Sequence, residues 1–87
     1  MRRRISDLVS ISTAASITGV QASTLRYWEK ELAPHLCPFR GSYEYRYYRP
    51  EDIQMVFVIK QLLRDEMFSL AGAKRYLDNL RRINANS

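Results

Sequence analysis

The stretch that decides the fold is Ile11 to Lys30, ISTAASITGVQASTLRYWEK. Ile11, Ala14, Ala15 and Thr18 fall at helical spacing, which predicts a short helix over Ser12–Thr18. Gly19 follows as its stop, because glycine accepts the left-handed conformation that ends many helices. A second helix is predicted over Ala22–Glu31, with Gln21 a poor cap in front and Ser23 and Thr24 near enough to help. Leu25, Trp28 and Leu32 form its apolar stripe, and Ser23, Arg26, Tyr27 and Lys30 share the opposite face.

Two short helices joined at a glycine make a helix-turn-helix unit. Its helices cross closely, so the inward position before the turn must be small and the turn must accept positive φ. Ala15 and Gly19, four residues apart, meet those demands. Val20, Leu25 and Trp28 supply the buried side. The arginine-bearing face that remains suits the major groove of a duplex. Alone, an Ala-xxx-Gly spacing is common in unrelated chains.

Downstream, Pro34 and Pro38 forbid a long helix and Gly41-Ser42 signals a turn. Glu44–Tyr48 is aromatic and is predicted as a strand, with Tyr43, Tyr45 and Tyr47 on one face and Glu44, Arg46 and Tyr48 on the other. Cys37–Arg40 is its expected partner. Such a hairpin after a recognition helix is a wing: Arg40, Tyr45, Arg46 and Arg49 offer donors to phosphates, and one tyrosine face is expected to pack while the other reaches out. Pro50, with Glu51 and Asp52, opens a third helix running to about Glu66, apolar nearly all round between Met55 and Ile59. Ser69 caps a fourth helix with the stripe Leu70, Ala73, Leu77 and Leu80. Residues 1–10 are expected as a basic leader with a mobile arm at Arg2, Arg3 and Arg4, residues 11–83 as the domain, and 84–87 as a tail.

Eighty-seven residues make one domain with a thin core. The net charge of +5 comes mainly from arginine, 11 against 3 lysines. Residues 1–50 carry 8 basic and 4 acidic groups, net +4, and residues 51–87 carry 6 and 5, net +1, so the first half is expected to face a polyanion. The single cysteine, Cys37, cannot close an internal disulfide, and a cytoplasmic location is expected. No catalytic constellation, metal site or cofactor is expected: His35 and Cys37 lack a third ligand, and the carboxylates are scattered along helices.

Gly19-Val20 and Thr24-Leu25-Arg26-Tyr27-Trp28-Glu29 resemble the recognition helix of the MerR family of bacterial transcription regulators, with tryptophan where many members carry tyrosine. Tyr45-Arg46-Tyr47-Tyr48 and Glu51-Asp52-Ile53 resemble its wing and third helix. Ile59-Lys60-Gln61-Leu62-Leu63, Phe68-Ser69-Leu70 and Ala73-Lys74 resemble the third and fourth helices. The resemblance runs over residues 11–80 with the blocks in order. It implies a mainly α, winged helix-turn-helix domain of about four helices with a short two-stranded wing. Such a domain binds double-stranded promoter DNA as a homodimer in the bacterial nucleoid and regulates transcription by distorting the promoter for RNA polymerase.

Carried over by position, Arg26 and Tyr27 are DNA contacts on the second helix and Arg46 is one in the wing, with Ser12, Thr13, Thr24 and Lys30 as weaker candidates; Ser23 is a further candidate from its place on the same helix face as Arg26. Three departures stand out. Gln21 replaces a capping serine. Met67 replaces a helix-ending glycine, so a different turn is expected there. Gly41 lies early in the wing, so a different tip is expected. Few residues remain beyond the fourth helix, so the expectation is a monomer or weak dimer that pairs on DNA. Two other readings stay open: an excisionase-like architectural protein that bends DNA, and a winged module that binds protein.

Overall fold

A computed structural model describes residues 7–41 and 45–86. The basic arm at Arg2, Arg3 and Arg4, and Ser42, Tyr43 and Glu44 at the wing tip, lie outside the described residues. In chain order the elements are β1 (Val9–Ser10), α1 (Ile11–Thr18), α2 (Ala22–Glu31), β2 (Phe39–Arg40), β3 (Arg46–Tyr48), α3 (Pro50–Lys60) and α4 (Leu70–Asn86), with a π-helical turn over Gln61–Asp65 after α3.

The helix-turn-helix forms where the sequence places it. Ser10 caps α1 by accepting the Thr13 N–H at 3.2 Å. Gly19 closes it at φ +74, donating its N–H to the Ala15 carbonyl at 2.8 Å. The fully buried small residue is Ala14, whereas Ala15 is half-buried and serves the turn through its carbonyl. Ala15 also packs against the core, so the small inward surface before the turn is shared by Ala14 and Ala15. Gln21 gives α2 no side-chain cap, as expected. Lys60 donates to the Thr18 carbonyl at 2.8 Å, so α3 supplies a cation to the C-terminal end of α1.

The wing is part of a three-stranded antiparallel sheet in the order β1-β3-β2. Val9 pairs with Tyr48 and Ser10 with Tyr47, while Phe39 pairs with Tyr47 and Arg40 with Arg46. The two-stranded expectation missed β1, and the leader expected over residues 1–10 is corrected: Val9 and Ser10 belong to the fold. A two-residue strand carries too little alternation to be read as a strand. Tyr48 packs inward and Tyr45 is 64% exposed, while Tyr47 lies on Gly41. A Cβ on Gly41 would stand 2.7 Å from the Tyr47 ring, so this position is kept open by contact.

α3 buries Asp52, Val56 and Ile59 and leaves Phe57 and Val58 exposed. The turn after it keeps the left-handed backbone of a helix end although Met67 stands there, at φ +61. What differs is the widened last turn: Glu66 N–H donates to Gln61 O at 2.9 Å and Phe68 N–H to Leu62 O at 2.8 Å. Ser69 caps α4, accepting the Gly72 N–H at 3.0 Å. α4 buries Ala73 and Leu77, but Leu80 emerges from the core, and the helix runs on to Asn86 where a tail was expected. One core joins all layers: Ala14, Val20, Leu25, Trp28, Leu32, Leu36, Tyr48, Val56, Ile59, Leu62, Ala73 and Leu77. Among the described residues no helix is long and apolar enough to cross a membrane.

Candidate nucleic-acid interface

α2 is set by its buried side. Leu25 and Trp28 face the core, and Arg64 from the π-helical turn lies 6.0 Å from the Trp28 ring centroid. A helix anchored along that stripe presents the opposite face outward. Arg26 and Tyr27 are exposed there, with Ser23, Thr24 and Lys30 around them on the same helix. Ser12 and Thr13 are exposed on the first turn of α1. Their hydroxyls already meet Ser10, whose Oγ lies 3.1 Å from Ser12 Oγ and 3.2 Å from Thr13 Oγ1.

The wing is tied to this helix by one carboxylate. Glu29 of α2 accepts a hydrogen bond from Arg46 Nε on one oxygen at 2.5 Å and one from Arg40 Nη2 on the other. The Glu29 side chain is only 13% exposed. Tyr48 is buried beside them. Burial and the Glu29 charge push its hydroxyl up to about 12, opposed by the Arg46 and Arg26 charges. The Tyr48 hydroxyl has no hydrogen-bond partner among the described residues.

Arg49 is differently placed. The hydrogen bond to Asp52 raises its already high pKa. Its Nε and Nη2 donate to Asp52 at 2.8 and 2.9 Å, and Nη2 also to the Cys37 carbonyl at 3.2 Å. The nearly buried Asp52 also accepts the Arg49 backbone N–H at 2.9 Å, which closes the first turn of α3. Arg49 thus joins the base of the wing to α3.

Sequence reasoning passed over Glu29. Its signal was a carboxylate three residues after Arg26, next to Lys30, on a helix face otherwise cationic. His35 and Cys37 do not come together: the His35 ring pairs with Asp78 at 2.5 Å, and Cys37 is exposed. The hydrogen bond from His35, aided by Lys74, holds the Asp78 carboxyl below its usual range. Among the described residues no group of three or more His, Cys, Asp or Glu could hold a metal ion. A groove of about 370 Å³ between α3 and α4, lined by Pro34, His35, Met55, Leu77, Leu80, Arg81 and Asn84, contains none of the candidate contact residues.

Comparison with known proteins agrees with this geometry. HiNmlR, a MerR family regulator lacking the sensor domain, solved in complex with promoter DNA, is similar at 30% identity and a TM-score of 0.68. The match covers 82% of this chain and 55% of that one, so the chain spans about half the length of HiNmlR. No curated protein matches. The sequence profile of the MerR HTH family of regulatory proteins matches residues 9–80, starting at β1 and ending in α4. With that span covered by the profile, the chain belongs to the MerR HTH family of regulatory proteins.

Proposed function

We propose that this DNA-binding regulatory domain reads a specific duplex operator, with α2 in the major groove and the wing on the flanking backbone. The observation that carries the reading is the α2 face: Arg26 and Tyr27 exposed above a fully buried stripe, with two wing arginines gathered beside them. Arg26 and Tyr27 are the base-reading candidates, since arginine matches the guanine edge bidentately. Ser23, Thr24 and Lys30 flank them on α2. Ser12 and Thr13 at the start of α1 and Arg40, Tyr45, Arg46 and Arg49 around the wing are the backbone candidates. A regulator of this kind acts in the cytoplasm on the nucleoid, as a binding protein and not an enzyme. It pairs on a two-fold site and works with RNA polymerase there. HiNmlR, solved on promoter DNA, supports double-stranded DNA as the partner.

Titration of duplex DNA against salt tests this. With about five phosphates neutralised per protomer, the log–log slope is about −4 to −5. A flat profile, or no duplex binding at low salt, removes the proposal and favours a protein-binding role, for which the exposed Phe57 and Val58 on α3 are the surface to examine. Selection from a random duplex pool then separates sequence reading from purely architectural bending.

A further inference from the structure

The geometry points to Glu29 as a positioning residue: a buried-side carboxylate that latches both wing arginines to the recognition helix and so fixes where the wing stands relative to the groove-facing side chains. The inference rests on the operator-reading role proposed above and adds a residue to it that makes no DNA contact of its own.

The sheet register states the problem that Glu29 solves. Arg40 on β2 and Arg46 on β3 are direct cross-strand partners. Like charges directly opposite in an antiparallel pair push the strands apart. Here each guanidinium instead donates to a different oxygen of the same carboxylate. Glu29 is well shielded, at 13% exposure, while the Arg46 and Arg40 side chains are 22% and 38% exposed. A shielded carboxylate between two less shielded cations is screened least by salt and keeps its hold where surface pairs lose theirs. The charge of the trio is +1, against +2 for the arginines alone.

The latch also crosses between elements. Glu29 lies one helical turn after Arg26, on the helix that carries the reading face, whereas its partners are on the two strands of the wing. No backbone hydrogen bond between α2 and the wing strands duplicates this connection among the described residues. The carboxylate therefore trades raw cation strength for a defined spacing between base-reading and phosphate-binding groups. Release of the wing arginines increases attraction for any duplex and reduces preference for one.

The E29Q variant tests this, because glutamine keeps the size but loses the charge and one acceptor oxygen. Binding of wild type and variant is measured against a selected operator and a random duplex over a range of salt. The expected result is severalfold tighter binding to random duplex, a salt slope steeper by about one unit, and a specific-to-random ratio smaller by about tenfold, the worth of one base contact. In the R40Q/R46Q background the same substitution changes nothing, because the latch has no arginines left to hold.

A readout free of DNA accompanies these: the Arg46 Nε proton, hydrogen-bonded in the wild type, exchanges with solvent at least tenfold faster in E29Q by NMR, an order-of-magnitude figure for loss of one protecting hydrogen bond. A fold-stabilising role alone would weaken both duplexes together and leave their ratio unchanged, and that result overturns the inference. So does an unchanged Arg46 proton. If E29Q does not fold, R40M replaces it, leaving Glu29 with Arg46 alone; a specific-to-random ratio equal to that of the wild type then overturns the latch. If wild type itself binds no duplex, the operator-reading role falls, and the inference with it; retained wild-type binding with an unaltered ratio in E29Q sinks the latch alone.

Discussion

Tyr48 is the largest side chain wholly removed from solvent, and it sits between the wing and the helix core with its hydroxyl unpartnered among the described residues. A buried hydroxyl without a partner costs more than the aromatic C–H that phenylalanine puts in its place. Tyr48→Phe is therefore expected to raise the unfolding free energy by about 1 kcal/mol, measured by denaturant titration. The same group gives a pH signature. Its folded pKa is raised from 10.0 to about 12, so the contribution is complete below pH 10 and is lost as pH climbs through 12. The wild type loses this contribution over that window and Y48F has none to lose, so the gap between them widens by roughly 2–3 kcal/mol, given that a tenfold change in proton affinity is worth about 1.4 kcal/mol. A difference that stays constant from pH 9 to 12 contradicts the placement.

Met67 offers the opposite case: an exposed side chain in a left-handed backbone, 80% accessible with φ +61. The strain of a Cβ there outweighs the chain entropy that glycine adds to the unfolded state, and the side chain is too exposed to supply compensating packing. Met67→Gly is expected to stabilise by about 0.5–1 kcal/mol, a rise in melting temperature of roughly 2–8 °C for a domain of this size. Thermal unfolding checks it, and a lower melting temperature would show that the methionine packs in a way its exposure denies.

At the scale of elements, the wing depends on the missing side chain at Gly41, whose place the Tyr47 ring takes. The Gly41 N–H donates to the Tyr45 carbonyl at 2.9 Å, closing the loop between β2 and β3, and the Tyr47 ring stands where a Cβ would be. Gly41→Ala drives a methyl group to 2.7 Å from that ring. The ring must swing away, and the expected outcome is weaker DNA binding through the wing with α2 unaltered: a loss of about 1 kcal/mol on specific and random duplex alike. Arg26→Ala differs in kind, costing about 1–3 kcal/mol on the selected site alone. Affinities on both duplexes separate the two; an R26A protein that binds the selected site as wild type does would remove Arg26 from the reading face.

Elements were legible in proportion to their length and periodicity. α2 repeats its stripe at Leu25, Trp28 and Leu32, and its boundaries emerge as read. β1 has two residues and no pattern, and its pairing with β3 depends on chain segments nearly forty residues apart. The end of α4 was read short because Asn84 and Asn86 resemble a tail, although nothing in the backbone stops the helix before them. The exposed face of α2 was visible in full. Glu29 was not, because its role depends on two arginines that only the wing register brings to it.

At the scale of the whole molecule, the shortest dimension is 20 Å against 32 and 30, the thickness of two layers around one core. Trp28 lies in that core at 4% exposure and is its bulkiest member. Trp28→Ala is expected to cost about 3–5 kcal/mol, most of the stability of so small a domain. Folded wild type is expected to emit at short wavelength, and a solvent-like maximum contradicts this. For assembly, Tyr76, Leu80 and Ile83 are the exposed large apolar side chains of α4 among the described residues, a small patch for a stable pair. The expectation is a monomer or weak dimer at micromolar concentration that pairs on adjacent half-sites. Sedimentation of the free protein is the check, and a tight dimer would assign α4 an interface of its own.

The position of β3 has a mechanical consequence. Its tyrosines are paired with β1, and β1 passes without a linker into α1 at the Ser10 cap. β3 leads as directly, through Arg49, into α3. The base of the wing is therefore built into the helical core, while the placing of its two arginines against α2 is left to Glu29. Any load placed on the base of the wing passes through backbone bonds into the first and third helices and is carried by the core, not by a flexible joint.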